Sequence, residues 1–316
     1  MINFQRITRR IFKPAEVETA DGILYATERD LAAMRRYARL RSFENMTTFA
    51  QDAGDIKSAF KGRGIEMEEL RPYQFGDDIR DIDWRITARK GEPYTKVYAQ
   101  ERNREIMLWL DLSPIMIFGS QKELKSVTAA KLAALLGWAA VRNKDRLGCV
   151  IFDGKNSLLF KPQAAKGYVE AICRKITATS RQALKGETND DAARQKSLQL
   201  LRNNTKKGTG VFIISSFGLW AEQYLKEFEY LAMSSKIYLM NIYDELEIKA
   251  PAQGQYMAAF QGKKLLLDTS DKRYRAEYAK YFQQKSSRWF KQCQRIGCHI
   301  IDLTQKNDWA KNLKIF

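Results

Sequence analysis

Between Leu70 and Arg89 the chain runs LRPYQFGDDIRDIDWRITAR, in which Arg71, Arg80, Arg85 and Arg89 are set among Asp77, Asp78, Asp81 and Asp83. Carboxylates this close together can hold two metal ions or divide acid and base roles, which is the chemistry of a nuclease or other hydrolase. Each of them also has an arginine a few residues away, which favours the ionised form and makes it unfit for general-acid work. Arginine–carboxylate forks are geometrically specific connectors. The alternative is therefore a structural or docking network, with Arg71, Arg80, Asp77, Asp83 and Arg89 fastening this segment to the rest of the chain and Trp84 buried beside it. A second candidate lies downstream, where the apolar run IMLWLD ends in Asp111-Leu112-Ser113. Ligands of open α/β sheets sit beyond the carboxyl ends of the strands. A carboxylate and a hydroxyl at such an end are hard oxygen donors suited to Mg²⁺, or else they satisfy backbone donors in a strand-to-helix loop.

Other chemistries lack their residues. The chain has one histidine, His299, inside CHIIDLT; its apolar neighbours suggest a core or half-buried ring, and a Ser-His-Asp or Cys-His arrangement has no other residue to use. No GxxxxGK[ST] occurs, and Gly62-Arg63-Gly64 is too short to cradle phosphates. Cys149, Cys173, Cys293 and Cys298 are scattered without a CxxC pair, so neither a disulfide framework nor a zinc site is indicated and a reducing cytoplasm fits.

The elements that must position these residues follow from hydrophobic patterning. The 316 residues, 45% hydrophobic and 29% charged, suit a soluble globular protein with one large or two modest cores. From Glu105 onward short apolar runs alternate with helical patterns: IMLWLD, RLGCVIFD, LLF at 158–160, GVFIISSF, KIYLMNIYD, KLLLDT and CHIIDLT. Continuous apolar strands imply an α/β fold with a mostly parallel central sheet covered by helices on both faces. Asp153-Gly154 is a hairpin signal and predicts an antiparallel pair at one edge. Ser120 to Glu123 has capping-box spacing, predicting a helix from there to about Asn143; LAALLGWAAV (132–141) is too short for a membrane span and reads as a buried helix. Tyr274, Tyr278, Phe282, Trp289, Cys293 and Ile296 recur at helical spacing as a core stripe, with Gly297 as its stop. Thr27 to Asp30 can open a helix through Arg41, and 53–64 reads as a loop. Residues 1–104 are expected to form an N-terminal appendage and 105–316 the α/β domain.

Arg71, Tyr73, Gly76-Asp77, Arg80, Asp83-Trp84 and Ala88-Arg89 together resemble the signature of the bacterial domain-of-unknown-function family 58. The resemblance implies that the α/β domain is von Willebrand factor A-like, with a metal-ion-dependent adhesion site of the form Asp-x-Ser-x-Ser at Asp111 and Ser113, and with Thr188 where the pattern's threonine falls. Two positions depart from the pattern: Ile115 replaces the second serine and Ser216 an aspartate, leaving at most a weak Mg²⁺ site. It further implies a non-enzymatic interaction protein or adaptor that works with a MoxR-type AAA+ ATPase in maturing or assembling other proteins. Many relatives carry membrane spans near the N-terminus; this chain shows none.

The formal charge of +17 attracts anionic partners without naming one. Arg6, Arg9, Arg10 and Lys13 alternate with Ile2, Phe4, Ile7, Ile11 and Phe12, a pattern that a helix would turn into an amphipathic face for an anionic membrane. Lys272, Arg273, Arg275, Lys280, Lys285, Arg288, Lys291 and Arg295 form a second basic cluster, which also reads as a solvated face. No nucleic-acid-binding motif accompanies either, which disfavours nucleic acid. The first thirteen residues are interrupted by arginines before any signal-peptide core, so a cytoplasmic location is expected, with peripheral contact at the inner membrane. Binding to an anionic membrane or nucleic acid remains the rival function, and metal-dependent hydrolysis a third.

Overall fold

A computed structural model describes residues 21–39, 66–99, 104–120, 122–185, 190–251, 253–260, 263–305 and 309–313. In chain order its elements begin with α1 (Glu28–Ala33), α2 (Arg35–Ala38), β1 (Glu66–Pro72), α3 (Trp84–Lys90), β2 (Tyr94–Ala99), β3 (Glu105–Asp111), α4 (Lys125–Arg142), β4 (Arg146–Phe152) and β5 (Ser157–Gln163). There follow α5 (Lys166–Ala183), α6 (Asp191–Asn203), β6 (Gly210–Ser215), α7 (Leu225–Ala232), β7 (Lys236–Tyr243), α8 (Glu245–Ile248), β8 (Gln255–Phe260), β9 (Lys263–Asp268), α9 (Lys272–Arg295), β10 (His299–Thr304) and α10 (Trp309–Asn312). The chain divides into two compact units, residues 1–50 with 104–316, and residues 51–103. The expected 1–104 appendage therefore falls into two parts. Its helices α1 and α2 join the α/β unit: the Trp138 indole donates to Leu31 O at 3.0 Å, and Leu31, Met34 and Ala38 are buried in the same core as α4.

The α/β unit is built on a six-stranded sheet in the order β10-β7-β6-β3-β4-β5. All neighbours are parallel except β4 and β5. That antiparallel edge pair is joined at Asp153, whose carboxylate accepts from the Lys155 and Asn156 amides at 2.8 and 2.6 Å. Strand residues alternate strictly between two cores. Ile106, Leu108 and Leu110 face α4 and α5, while Met107 and Trp109 face α6, α7 and α9, because side chains of a strand point to opposite faces in turn. Two covered faces explain why the strands read as unbroken apolar runs. In β4 a Cβ on Gly148 would lie 2.3 Å from Met107 Sδ and 3.1 Å from Phe160 O, so only glycine admits this close approach of strand and neighbours.

Two details differ from expectation. KLLLDT forms β9, which pairs antiparallel with β8 in a separate hairpin and takes no place in the central sheet. The capping box at Ser120 is not made: α4 starts at Lys125 with Leu124 as its N-cap, Ser120 bonds Asp244, and Glu123 accepts from Thr128 Oγ1 at 2.7 Å and pairs with Lys131. A tertiary partner for Ser120 outcompetes the local cap. The rest of that helix behaves as patterned, with 132–140 buried and Asn143 as the C-cap. On α9 the predicted stripe is buried at Trp289 and Cys293 and half-buried at Tyr274, Tyr278, Phe282 and Ile296.

The smaller unit is a hairpin of β1 and β2 whose connection holds most of the signature. Gly76 has φ of +102°, in the region open to glycine, and Asp77 closes the turn by accepting from the Gln74 amide at 3.1 Å. A short 3₁₀ turn over Ile79–Asp81 and then α3 return the chain to β2.

Candidate functional site

The chain runs from β3 to β4 on one side of the sheet and later places β6 on the other, so strand order reverses beside β3. Such a reversal opens the crevice where α/β proteins bind ligands, at the carboxyl ends of the strands. Asp111 and Ser113 leave β3 there, and Ser215 and Ser216 leave β6. Asp111 is fully buried and its oxygens are taken. Oδ1 accepts from the Ser113 amide at 2.9 Å; Oδ2 accepts from the Ser215 hydroxyl at 2.6 Å and from the Arg194 guanidinium at 2.9 Å. Arg194, also at 0% exposure, donates its second terminal nitrogen to Ser113 Oγ at 3.3 Å and lies 5.1 Å and 4.6 Å from the Phe152 and Trp220 ring centroids.

A second buried cation lies at the same edge. Lys125, the first residue of α4, is 1% exposed; its ammonium bonds Ser216 Oγ at 3.0 Å and Glu247 Oε1 at 2.6 Å. Glu247 uses its other oxygen to accept from the Asp244 amide at 2.8 Å, closing a capping box on α8. Asp244 in turn accepts from the Ser120 amide and hydroxyl at 2.7 and 2.5 Å. Two linked sets of charge and hydroxyl thus seal the strand ends. Asp111 and Ser113 do come together as the spacing implies, but around a guanidinium; Thr188 lies outside the described residues. Mg²⁺ needs free hard oxygens in octahedral array. The three bonds already on Asp111 and the cation beside it do not fit that ion. Among the described residues no group of three or more His, Cys, Asp or Glu could hold a metal.

Three of the signature aspartates, Asp77, Asp78 and Asp83, bond groups within residues 71–96. Arg71 pairs with Asp77 at 2.9 Å, and Asp78 caps the 3₁₀ turn through the Arg80 amide at 3.0 Å. Asp83 is the N-cap of α3, accepting from the Arg85 and Ile86 amides at 3.0 and 3.2 Å, and it pairs with Lys96 at 3.1 Å. The Ile86 amide, then Lys96, hold its pKa below the usual aspartate value. Tyr73, half-buried, ties the turn to β2 through its amide, which donates to Pro93 O at 2.7 Å. The expected lattice is thus corrected to a set of local caps and two ion pairs. Trp84 is likewise not buried: as the first residue of α3 it is 65% exposed, and Phe75 and Ile79 are exposed beside it in sequence. Arg80, Arg85 and Arg89 are exposed and make no ion pair among the described residues.

His299 opens β10 at the amino end of a parallel strand, the far end of the sheet from Asp111, and is exposed while stacking on Tyr238 at 5.2 Å. Partial burial, then the Lys236 charge, lower its pKa. The four cysteines are free and buried, and burial pushes the Cys173, Cys293 and Cys298 thiols up to about 12 and Cys149 still further. Thiols so held are inert. Of the basic clusters, the α9 residues Lys272, Arg273, Lys280, Arg288, Lys291 and Arg295 are exposed, while residues 1–13 lie outside the described residues. Arg194 and Lys125 were missed by residue-type reasoning, although both lie on the apolar stripes of their helices, Arg194 with Ser197, Leu198 and Leu201, and Lys125 with Thr128, Ala129 and Leu132.

Fold and site define a mixed α/β protein with a mostly parallel six-stranded sheet whose carboxyl edge is closed by internal ion pairs. The family model described as "Protein of unknown function DUF58" matches residues 69–288, and the chain belongs to that family. It is 25% identical over 264 residues to the uncharacterized proteins Rv1480 of Mycobacterium tuberculosis (strain ATCC 25618 / H37Rv) and Mb1516 of Mycobacterium bovis, covering 83% of this chain and 82% of each of those. Among solved structures it is similar to the conserved hypothetical protein BatB from Bacteroides thetaiotaomicron, with 13% identity, a TM-score of 0.38, and coverage of 66% of this chain and 94% of that one. An aerotolerance-related membrane protein from Bacteroides fragilis matches with 12% identity and a TM-score of 0.39, over 66% of this chain and 96% of that one. Among the described residues no helix is long and apolar enough to cross a membrane.

Proposed function

We propose that this chain is a non-enzymatic interaction protein, a von Willebrand factor A-like scaffold that works with a MoxR-type AAA+ ATPase in maturing or assembling other proteins. The partner class comes from the family resemblance. The observation that supports an interaction role is the exposure of three large apolar side chains in the signature segment, Phe75, Ile79 and Trp84, in a run that also exposes Arg80, Arg85 and Arg89. Leaving one large apolar side chain in water forgoes about 1.5–3 kcal/mol that covering it returns. Aromatic residues and arginine are the side chains enriched at the energetic centres of protein interfaces. The closed sheet edge agrees with a scaffold role, since the Ser113, Ser215 and Ser216 hydroxyls and the Asp111 carboxylate are all engaged.

The test is association of the full chain with a MoxR-type ATPase from the same host, in the presence of a non-hydrolysable ATP analogue. A complex is expected, weakened at least about tenfold by Phe75→Ala with Trp84→Ala, while the melting temperature holds. No association, or association indifferent to both substitutions, would overturn the reading. The basic face of α9 favours a second reading, binding to an anionic surface, which instead predicts a steep fall of binding with salt.

A further inference from the structure

We infer that the carboxyl edge of the sheet is a metal-independent site in which two side-chain cations, Arg194 and Lys125, stand in for the divalent ion that its Asp-x-Ser pattern otherwise suggests. The pattern lacks a hydroxyl at Ile115 and a carboxylate at Ser216. Beside Asp111, the planar guanidinium of Arg194 spans the carboxylate and Ser113 Oγ at 2.9 and 3.3 Å, linking the two groups that a metal would bridge. At Ser216 the Lys125 ammonium takes the hydroxyl at 3.0 Å and brings Glu247 as its counterion. Aspartate there would add a carboxylate that no metal needs. Two fixed positive charges thus replace one doubly charged ion, and Asp111 and Glu247 balance them.

The walls of the site agree. Phe152 and Trp220 flank the guanidinium at 5.1 and 4.6 Å. Aromatic faces attract an organic cation but offer a hard metal ion no oxygen. Ser197, which follows Arg194 on the same face of α6, accepts from the Trp109 indole at 2.8 Å and fixes the helix against the sheet. Binding of Mg²⁺ at Asp111 would require either expelling a completely buried arginine or setting two like charges side by side. Any partner engaged at this edge is consequently held without a metal bridge. This inference rests on the edge geometry alone and stands or falls separately from the ATPase reading.

The experiment uses the full chain, stripped with chelator, titrated with Mn²⁺ by electron paramagnetic resonance and with Mg²⁺ by calorimetry, and melted in EDTA and in millimolar Mg²⁺. Expected are no stoichiometric site tighter than millimolar and the same melting temperature in both buffers. A one-to-one micromolar Mn²⁺ site that Asp111→Asn abolishes would overturn the inference. Arg194→Met in metal-free buffer should lower the melting temperature, or prevent folding outright; an unchanged melt would equally overturn it, since the guanidinium would then not be the cation that Asp111 requires.

Discussion

If Arg194 is the counterion of Asp111, the two residues must be energetically coupled, and a double-mutant cycle measures that coupling. Both side chains are fully buried at 2.9 Å. Removing one member of such a pair strands the other and costs about 3–5 kcal/mol. Arg194→Met keeps much of the side chain's length and loses the fork. Asp111 then still accepts from the Ser215 hydroxyl and the Ser113 amide, which puts this variant near the lower end, about 3 kcal/mol. Asp111→Asn strands the guanidinium between Phe152 and Trp220, whose faces offset part of the loss, giving about 4 kcal/mol. The double variant carries no buried charge at this position, and its cost should fall short of the two single costs taken together by about 3 kcal/mol. Urea unfolding followed by near-ultraviolet circular dichroism is the assay, because Trp220 sits against Arg194 and Trp109 bonds Ser197 on the same helix. Single costs that add to within about 0.5 kcal/mol would refute the assignment of Arg194 as the counterion.

Two further outcomes follow from carboxylates in opposite surroundings. Asp145 is buried, its Oδ2 has no hydrogen-bond partner among the described residues, and burial pushes its pKa up to about 6 despite the Arg104 charge. The native state therefore binds that proton more tightly than the unfolded chain, so the contribution is favourable below about pH 4 and is lost as pH rises through 6. Asp145→Asn should raise stability at neutral pH by roughly 1–3 kcal/mol and remove this part of the pH dependence in urea titrations; a destabilised variant would contradict the burial account. Asp83 has the opposite sign: its lowered pKa stabilises the unit of residues 51–103 at neutral pH, and that contribution disappears as acid titrates the cap. Asp83→Ala should increase amide exchange in α3 at neutral pH, and exchange as slow as in the parent would argue against the cap.

What could be seen in the amino-acid sequence was whatever local pattern decides. The alternation of apolar strands and helices was enough for a mostly parallel sheet, because helices on both faces force continuous apolar runs, and Asp153-Gly154 marked the edge hairpin because turn chemistry is local. KLLLDT carried the same apolar signature yet found its partner in β8, a choice that strand composition does not encode. Ser120 and Glu123 had the right spacing for a cap, but Asp244, 124 residues away, claimed the serine. Trp84 illustrates the reverse case: an aromatic residue inside a charged run suggests burial, whereas the helix that Asp83 caps turns the ring outward. The site itself shows where pattern reading stops. Asp-x-Ser at the end of β3 identifies a place for a cation, but which cation fills it depends on Arg194, 83 residues further along the chain. A signal for it did exist, since an arginine in register with Leu198 and Leu201 on the apolar stripe of α6 must either snorkel to water or meet a buried anion. Asp111 was the carboxylate waiting at a strand end. Joining a misplaced cation on one element to a misplaced anion on another is thus a physical criterion, legible in the residues alone, that distinguishes a charge-sealed edge from a metal site.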